Sequence, residues 1–450
     1  MGSQRVPGWV WTTLIGVHLA AVAWSCTTGA WDFPDSDRYL QAAENLWREG
    51  VLYARPWPRE LPSGQAVQEF TIRPVGYPLA LLVLGGLLKV PFLALLFQNL
   101  LSLLNLGLVL RWWARTVRPQ RQCWKWAVVL VLLFPAQLIY ANAVMSEMLL
   151  QTMVVGIFWG GMWAVESPKP KYMAGVAAAT VLALLLKPVF YPMALVVAGA
   201  GTVLAWRQKE MRLAAIAGIP MLVAGLYLGW NMQRTGYLHF SSIAEINLLH
   251  YNAAGVVRQV SGPEAEEAWV AAVLKDANQQ VGFAERQLLI RTRALVVISE
   301  HPVVYARQHM QGMGAVFFDP GRFDISQFLG VAPPPDGGLL GQIRNGGFFR
   351  ALTRLPIAML ALLGAVLVAN LARMALAVRG FLLLGNRASL LRNGRWIAAG
   401  LLFYVALLTG PLGAARFLVP VWPLLLGLAL VGLKAPGVPQ PQQRAPMGED

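Results

Sequence analysis

The chain has 450 residues, of which 56% are apolar and only 13% charged, where a soluble domain carries roughly a quarter charged residues; that balance argues against a water-soluble fold. The 37 Lys and Arg against 22 Asp and Glu leave a formal charge of +15, which fits either a nucleic-acid binder or a membrane protein with basic cytoplasmic loops. Two cysteines, Cys26 and Cys123, are too few for a disulfide scaffold or a zinc site.

A spanning helix needs about 20 mostly apolar residues. Charge-free runs occur at 6–31, 91–110, 126–146, 148–165, 172–186, 188–206, 213–230, 355–372, 396–415 and 417–433. Trp9, Trp11, Trp24 and Trp31 bracket the first run as interfacial anchors, which marks a retained helix rather than a cleaved signal peptide. The segment after it, 32–74, opens with Asp32, Asp35, Asp37 and Arg38. It continues as a helix with Tyr39, Ala42, Ala43 and Leu46 on one face, predicted to lie on the membrane surface. Val75 to Leu88 is shorter than a span and holds Gly76, Pro78, Gly85 and Gly86, so an interfacial or re-entrant helix is expected there.

Charge decides the topology. With Val75–Leu88 outside the count and the N-terminus cytoplasmic, the inside segments hold 18 Lys and Arg against 4 acids, and the outside segments 19 against 18. Counting it as a span would move Arg111, Arg115, Arg118, Arg121 and Lys125 outside, against the positive-inside rule. The expected fold class is an all-α polytopic membrane protein of about ten transmembrane helices, in the plasma (bacterial inner) membrane, both termini cytoplasmic. Cys26 and Cys123 then lie near opposite faces and cannot pair. A second outer segment, 231–354, carries helical stretches at 263–299 and 302–317 and a Pro/Gly-rich linker at 333–338. The expected organisation is a transmembrane module at 1–230 with its first outer loop at 32–90, an outer region at 231–354, C-terminal helices at 355–433, and a disordered tail at 434–450.

A charge at bilayer depth costs on the order of 3 kcal/mol. Asp35, Asp37, Arg73, Glu147, Lys187 and Arg416 all flank apolar runs and all map to the outer face. Singly, each has an ordinary use: helix capping for Asp35 and Glu147, headgroup anchoring for Arg73, Lys187 and Arg416. Their convergence on one face points instead to an outward polar cavity. His18, mid-span, is expected to be a packing residue.

Read in order, Pro34-Asp35-Ser36-Asp37-Arg38-Tyr39, Arg73-Pro74-Val75-Gly76-Tyr77-Pro78, Ser146-Glu147, Lys187-Pro188, Phe240-Ser241-Ser242 and Arg416 through Pro420 resemble the bacterial GT-C glycosyltransferases. These are polytopic enzymes related to protein O-mannosyltransferases (glycosyltransferase family 39) and the lipid A aminoarabinose transferase. The resemblance spans 9–433 and is strongest over 34–188. It implies a GT-C-like fold and transfer of a sugar from a polyprenyl-phosphate carrier to an envelope glycan, lipid or protein acceptor on the outer side. It matches the family's first-loop acid to Asp35 or Asp37, its second-loop acid to Glu147, and its lipid-phosphate motif to Arg73, with Tyr77 in the same motif.

The chemistry agrees. Displacing phosphate from an anomeric carbon needs a base for the incoming hydroxyl or amine, worth about 10²–10⁴ in rate; Asp35 is the first candidate and Asp37 the second. The leaving phosphate is already a stable anion, so clamping by Arg73, Lys187 and Arg416 replaces a general acid. One carboxylate acting through the acceptor predicts inversion, and Glu147 is expected to orient groups or bind the acceptor. No nucleotide-sugar site is required and no cofactor is assigned; metal dependence is open, since Asp35 and Asp37 could hold a divalent ion between them. The 111–125 basic cluster reads as a topology signal, so no nucleic-acid partner is expected. A ligase or polymerase of lipid-linked oligosaccharide would share this face, whereas a flippase or transporter of a lipid-linked precursor would need charges along a path through the bilayer.

Overall fold

The computed structural model describes residues 5–84, 92–331 and 356–433, and no strand occurs among them. The chain opens with α1 (Gly8–Thr28), followed by α2 (Ser36–Arg48), the short α3 (Gly76–Val83) and α4 (Phe92–Thr116). Next, α5 (Arg121–Leu132) and α6 (Pro135–Ala141) form one apolar run bent by 58° at their junction. They lead to α7 (Glu147–Glu166), α8 (Pro170–Leu186), α9 (Met193–Gln208) and α10 (Met211–Thr235). The second long loop folds into α11 (Ile243–Asn247), a π-helical turn at Leu248–Ala253, α12 (Ala254–Ser261), α13 (Pro263–Asn278), α14 (Phe283–Glu300), α15 (Pro302–Phe318) and α16 (Arg322–Leu329). The chain closes with α17 (Ile357–Leu384), α18 (Ser389–Thr409), the single turn α19 (Ala415–Leu418) and α20 (Trp422–Gly432).

Among the described residues, eight helices are long and apolar enough to cross a membrane, and the bent α5–α6 pair makes nine. The tenth apolar run is the 17-residue α8, about 26 Å long at 1.5 Å per residue. The chain is an all-helical multi-pass membrane protein. α2 buries Tyr39, Ala42 and Ala43, the face its spacing predicts. The helical stretch expected at 263–299 is two helices, because Gln279 to Gly282 interrupts it between α13 and α14. The linker at 333–338, the tail at 434–450 and the end of the 75–88 run lie outside the described residues.

Two features bind the bundle. α4 carries a ladder of buried amides: Gln98 donates to the Ala143 carbonyl at 2.8 Å, Asn99 to the Ala141 carbonyl at 3.0 Å, and Asn105 to Gln151 Oε1 at 3.1 Å. Ser102 Oγ accepts from Gln137 at 2.8 Å and meets His18 Nε2 at 2.9 Å. The other His18 nitrogen lies 2.7 Å from the Leu14 carbonyl, which fixes Nδ1 as the donor and the residue as a packing group. The Gln98 and Asn99 bonds satisfy carbonyls at and just past the C-terminal end of α6, a requirement inside a membrane.

The second feature lies just past the charge-free run at 355–372. α17 continues to Leu384, so Arg373 belongs to a helix, and it is 1% exposed. Its Nη1 donates to the Leu130 carbonyl at 2.9 Å, near the C-terminal end of α5, and Nη2 donates to Asn370. The guanidinium lies 5.5 Å from the Phe134 ring and 5.0 Å from Trp422, and those two rings stack on each other. A cation on the Leu130 carbonyl complements the negative end of the α5 dipole. Sealed by aromatic rings, it lines no path through the bundle.

α17 packs on α20 through small residues. A Cβ at Gly380 would fall onto the Leu428 carbonyl, and one at Gly432 onto the Leu376 carbonyl. Such close backbone approach is how helices associate where lipid is as apolar as leucine. Gly380→Leu should therefore lower stability by about 3 kcal/mol, the upper range for overpacking. Thermal unfolding in detergent reads this directly; an unchanged melting temperature would show that the pair can separate freely.

Candidate active site

The first loop turns onto the bundle at Ser36, whose hydroxyl accepts the Phe33 N–H at 2.9 Å and donates to the Val144 carbonyl at 3.2 Å. This sets Asp35 at the N-cap of α2. Its side chain makes no capping bond. Instead, Oδ1 accepts from Arg73 Nη2, and Oδ2 lies 3.4 Å from Arg416 Nη2. Glu147, the first residue of α7, is likewise no mere cap: Oε1 accepts from Lys187 Nζ at 2.5 Å and lies 3.6 Å from Arg416 Nε. Asp35 and Glu147 thus share Arg416, and Arg73 and Lys187 flank them. Three cations face two carboxylates.

Each cation is delivered by a local break in helix. Arg73 follows a 3-10 turn at Gly64–Phe70, and that segment is tied to the 239–242 strip. His239 Nε2 meets Thr71 Oγ1 at 2.7 Å, and Ser242 Oγ donates to the Gln68 carbonyl at 2.8 Å. The Arg73 guanidinium then lies 5.0 Å over the Tyr39 ring, which meets Tyr77 edge-on at 4.8 Å. Pro188 ends α8 and places Lys187 at the gap, since the residue before proline is driven out of helical geometry. Gly76 allows α3 to abut this gap: a Cβ there would stand 2.6 Å from the Leu185 carbonyl oxygen. Arg416 rides on α19, whose first N–H, at Ala415, is accepted by Asp319 Oδ2 at 3.0 Å.

Exposure grades across the cluster. The side chains of Asp35 and Arg416 are 23% and 28% accessible, while Glu147 is at 0%. Asp35 and Arg416 therefore form the mouth and Glu147 the floor. Burial works against the ionised Asp35 carboxyl, but Arg73, Arg416 and Lys187 outweigh it and hold the group below the usual carboxylate range. Glu147 Oε2 and Arg73 Nε are buried without a hydrogen-bond partner, so the cluster retains polar capacity beyond its own ion pairs.

Asp35, Arg73, Glu147, Lys187 and Arg416 are thus brought together. Tyr77 is beside them but 1% exposed, and its hydroxyl donates to Gln98 Oε1 at 2.7 Å. It seats Tyr39 and Arg73 rather than facing the mouth. Asp37 is exposed on the first turn of α2. Asp35 spends both oxygens on arginines, and no group of three His, Cys, Asp or Glu suited to a metal ion occurs among the described residues. The donor set does not fit a divalent ion between Asp35 and Asp37.

Two neighbours had no distinguishing signal in the sequence. Asp324 on α16 is 4% exposed and accepts the Tyr140 hydroxyl of α6 at 2.7 Å. Burial pushes its carboxyl up to about 6, although the Tyr140 bond and the Arg416 charge oppose the shift.

No protein-family model and no curated protein sequence matches the chain. Among solved structures, the chain is similar to ArnT from Cupriavidus metallidurans in the apo state, at 14% identity and a TM-score of 0.36, covering 95% of this chain and 76% of that one. The same protein bound to undecaprenyl phosphate gives 15% identity, a TM-score of 0.36, and coverage of 95% and 78%. The arabinosyltransferase EmbB from Mycobacterium smegmatis gives 13% identity, a TM-score of 0.36, and coverage of 96% and 42%.

Proposed function

We propose that the chain is an integral-membrane, inverting glycosyltransferase of the GT-C type, which moves a sugar from a polyprenyl-phosphate carrier to an acceptor on the outer face of the membrane. One observation carries this reading: Arg73, Lys187 and Arg416, from three distant segments, meet Asp35 and Glu147 at one end of an apolar helical bundle. With both acids ionised, the cluster keeps one surplus positive charge, which suits a single lipid phosphate. The apolar spans supply the bed for an isoprenoid tail, so the clamp and its lipid environment adjoin.

Asp35 is held ionised by the arginines that a donor phosphate would engage. Phosphate entering between Arg73 and Arg416 competes for their N–H groups and loosens Asp35 as it does so. The carboxylate becomes a stronger proton acceptor once the donor is in place. Asp35 then takes the proton of the acceptor hydroxyl or amine, the acceptor atom bonds to the anomeric carbon, and the bond from that carbon to the phosphate oxygen breaks. Charge arriving on the phosphate falls on preorganised cations. Attack opposite the leaving group inverts the anomeric centre. Glu147, on the floor, keeps Lys187 and Arg416 aimed at the phosphate.

The test is reconstitution in lipid nanodiscs with radiolabelled polyprenyl-phosphate sugars and extracted envelope acceptors. Transfer of label with inverted stereochemistry is expected. Transfer only from a diphosphate-linked oligosaccharide would replace this reading with a ligase, and no movement of label from any lipid-linked donor would end it.

A further inference from the structure

Residues 319–329 form a strap that joins the elements of the site. Asp319 caps the turn that carries Arg416 through the Ala415 N–H, and its Oδ1 accepts the Gly321 N–H at 3.0 Å. Asp324 accepts the Tyr140 hydroxyl from α6. Gln327 Nε2 donates to the Asp32 carbonyl at 3.1 Å, and the Phe328 carbonyl accepts Trp24 Nε1 at 2.9 Å. The strap thus fastens the Arg416 turn, the bent helix and the first loop to one another, and Asp324 is its buried charge.

We infer that Asp324 is a further positioning residue for donor binding: joined to Tyr140 on the strap that caps the Arg416 turn, it sets both the place and the electrostatic strength of Arg416. The inference rests on the reading of Arg416 as part of a phosphate clamp. The groups facing Asp324 are Tyr140 from α6, Arg416 from α19, Glu147 from α7 and Asp319 from the strap itself, and Asp32 of the first loop meets the strap through its carbonyl. With its carboxyl titrating at about 6, Asp324 is neutral in mild acid, and the clamp keeps its surplus positive charge. As pH rises it ionises, offsets one cation and weakens the hold on the phosphate.

The experiment is binding of undecaprenyl phosphate to the full chain in nanodiscs from about pH 5 to pH 8, for wild type, Asp324→Asn and Tyr140→Phe. The lipid phosphate's own second ionisation, at about 6, is common to all three, so the readout is the ratio of dissociation constants. Wild type over Asp324→Asn should be near unity at low pH and rise to about fivefold at high pH, the size expected of one nearby charge in a partly screened site. Tyr140→Phe removes the hydroxyl that favours the ionised carboxyl and should move the midpoint to higher pH. A ratio that stays flat in a folded Asp324→Asn protein overturns this inference alone. Wild type that binds no lipid phosphate at any pH overturns both it and the clamp beneath it.

Discussion

Asp35→Asn is expected to cut sugar transfer by about 10²–10⁴, the usual worth of a positioned base, while the protein folds and binds its donor. The separation follows from the geometry. Asp35 holds Arg73 and Arg416 in the resting site, and the uncharged amide competes with phosphate less well than the carboxylate does. The donor KM should stay level or fall as kcat collapses, the mark of an interaction needed in the transition state rather than in binding. Asp37→Asn, at an exposed position, should stay within about twofold of wild type, as surface changes usually do. Steady-state kinetics on both variants decides the matter; near-normal kcat in Asp35→Asn would remove it as the base.

The second large effect is on stability. Glu147 is fully buried, with Oε1 on Lys187 and within ion-pair distance of Arg416. Glu147→Leu leaves two cations facing each other without their shared acid, and breaking a buried pair in this way costs about 3–5 kcal/mol. The double variant Glu147→Leu with Lys187→Met removes both charges of the closest pair and leaves Arg416 its contact with Asp35. It should recover most of the lost stability, because a well-packed apolar pair can match a buried salt bridge. Transfer should not recover, since the clamp has lost a cation. Unfolding midpoints in detergent, read beside transfer rates, separate the two roles; a double variant no more stable than the single would show that the pair contributes nothing through its charge.

How much of this was visible in the sequence depends on what surrounds each residue. Lys187 and Arg416 stand out because apolar runs enclose them, so a single charge is a conspicuous event. Arg373 does not, because it follows an apolar run and precedes Arg379, Arg387, Arg392 and Arg395, and it reads as the start of a basic loop. Asp324 lies in a stretch of mixed charge where one acid resembles another; only the fold brings it under Tyr140. The choice between Asp35 and Asp37 was open for a geometric reason. At 100° per residue, positions two apart on a helix point to nearly opposite sides, so one acid at most can meet the cluster. Which one depends on where α2 begins, and the Ser36 contacts with Phe33 and Val144 decide that. The break after α5 was equally hidden, because the 126–146 run is charge-free throughout and Pro135 alone marks the bend.

The Leu130 carbonyl that accepts from Arg373 waits for a residue 243 positions further along the chain. At roughly 5–20 residues per second, synthesis reaches Arg373 about 10–50 s after Leu130 has been made. For that interval the bent span stands in or beside lipid with its junction incomplete. Arg373 and the Trp422 ring then close it, and the Arg416 turn arrives from the same late stretch of chain. The site is therefore completed from the C-terminal end of the chain: Asp35, Arg73, Glu147 and Lys187 are made first, and Arg416 joins them last. A ribosome that stalls before α17 would leave in the membrane two acids and two cations of the site without Arg416, and a helix break whose Leu130 carbonyl lacks the Arg373 donor.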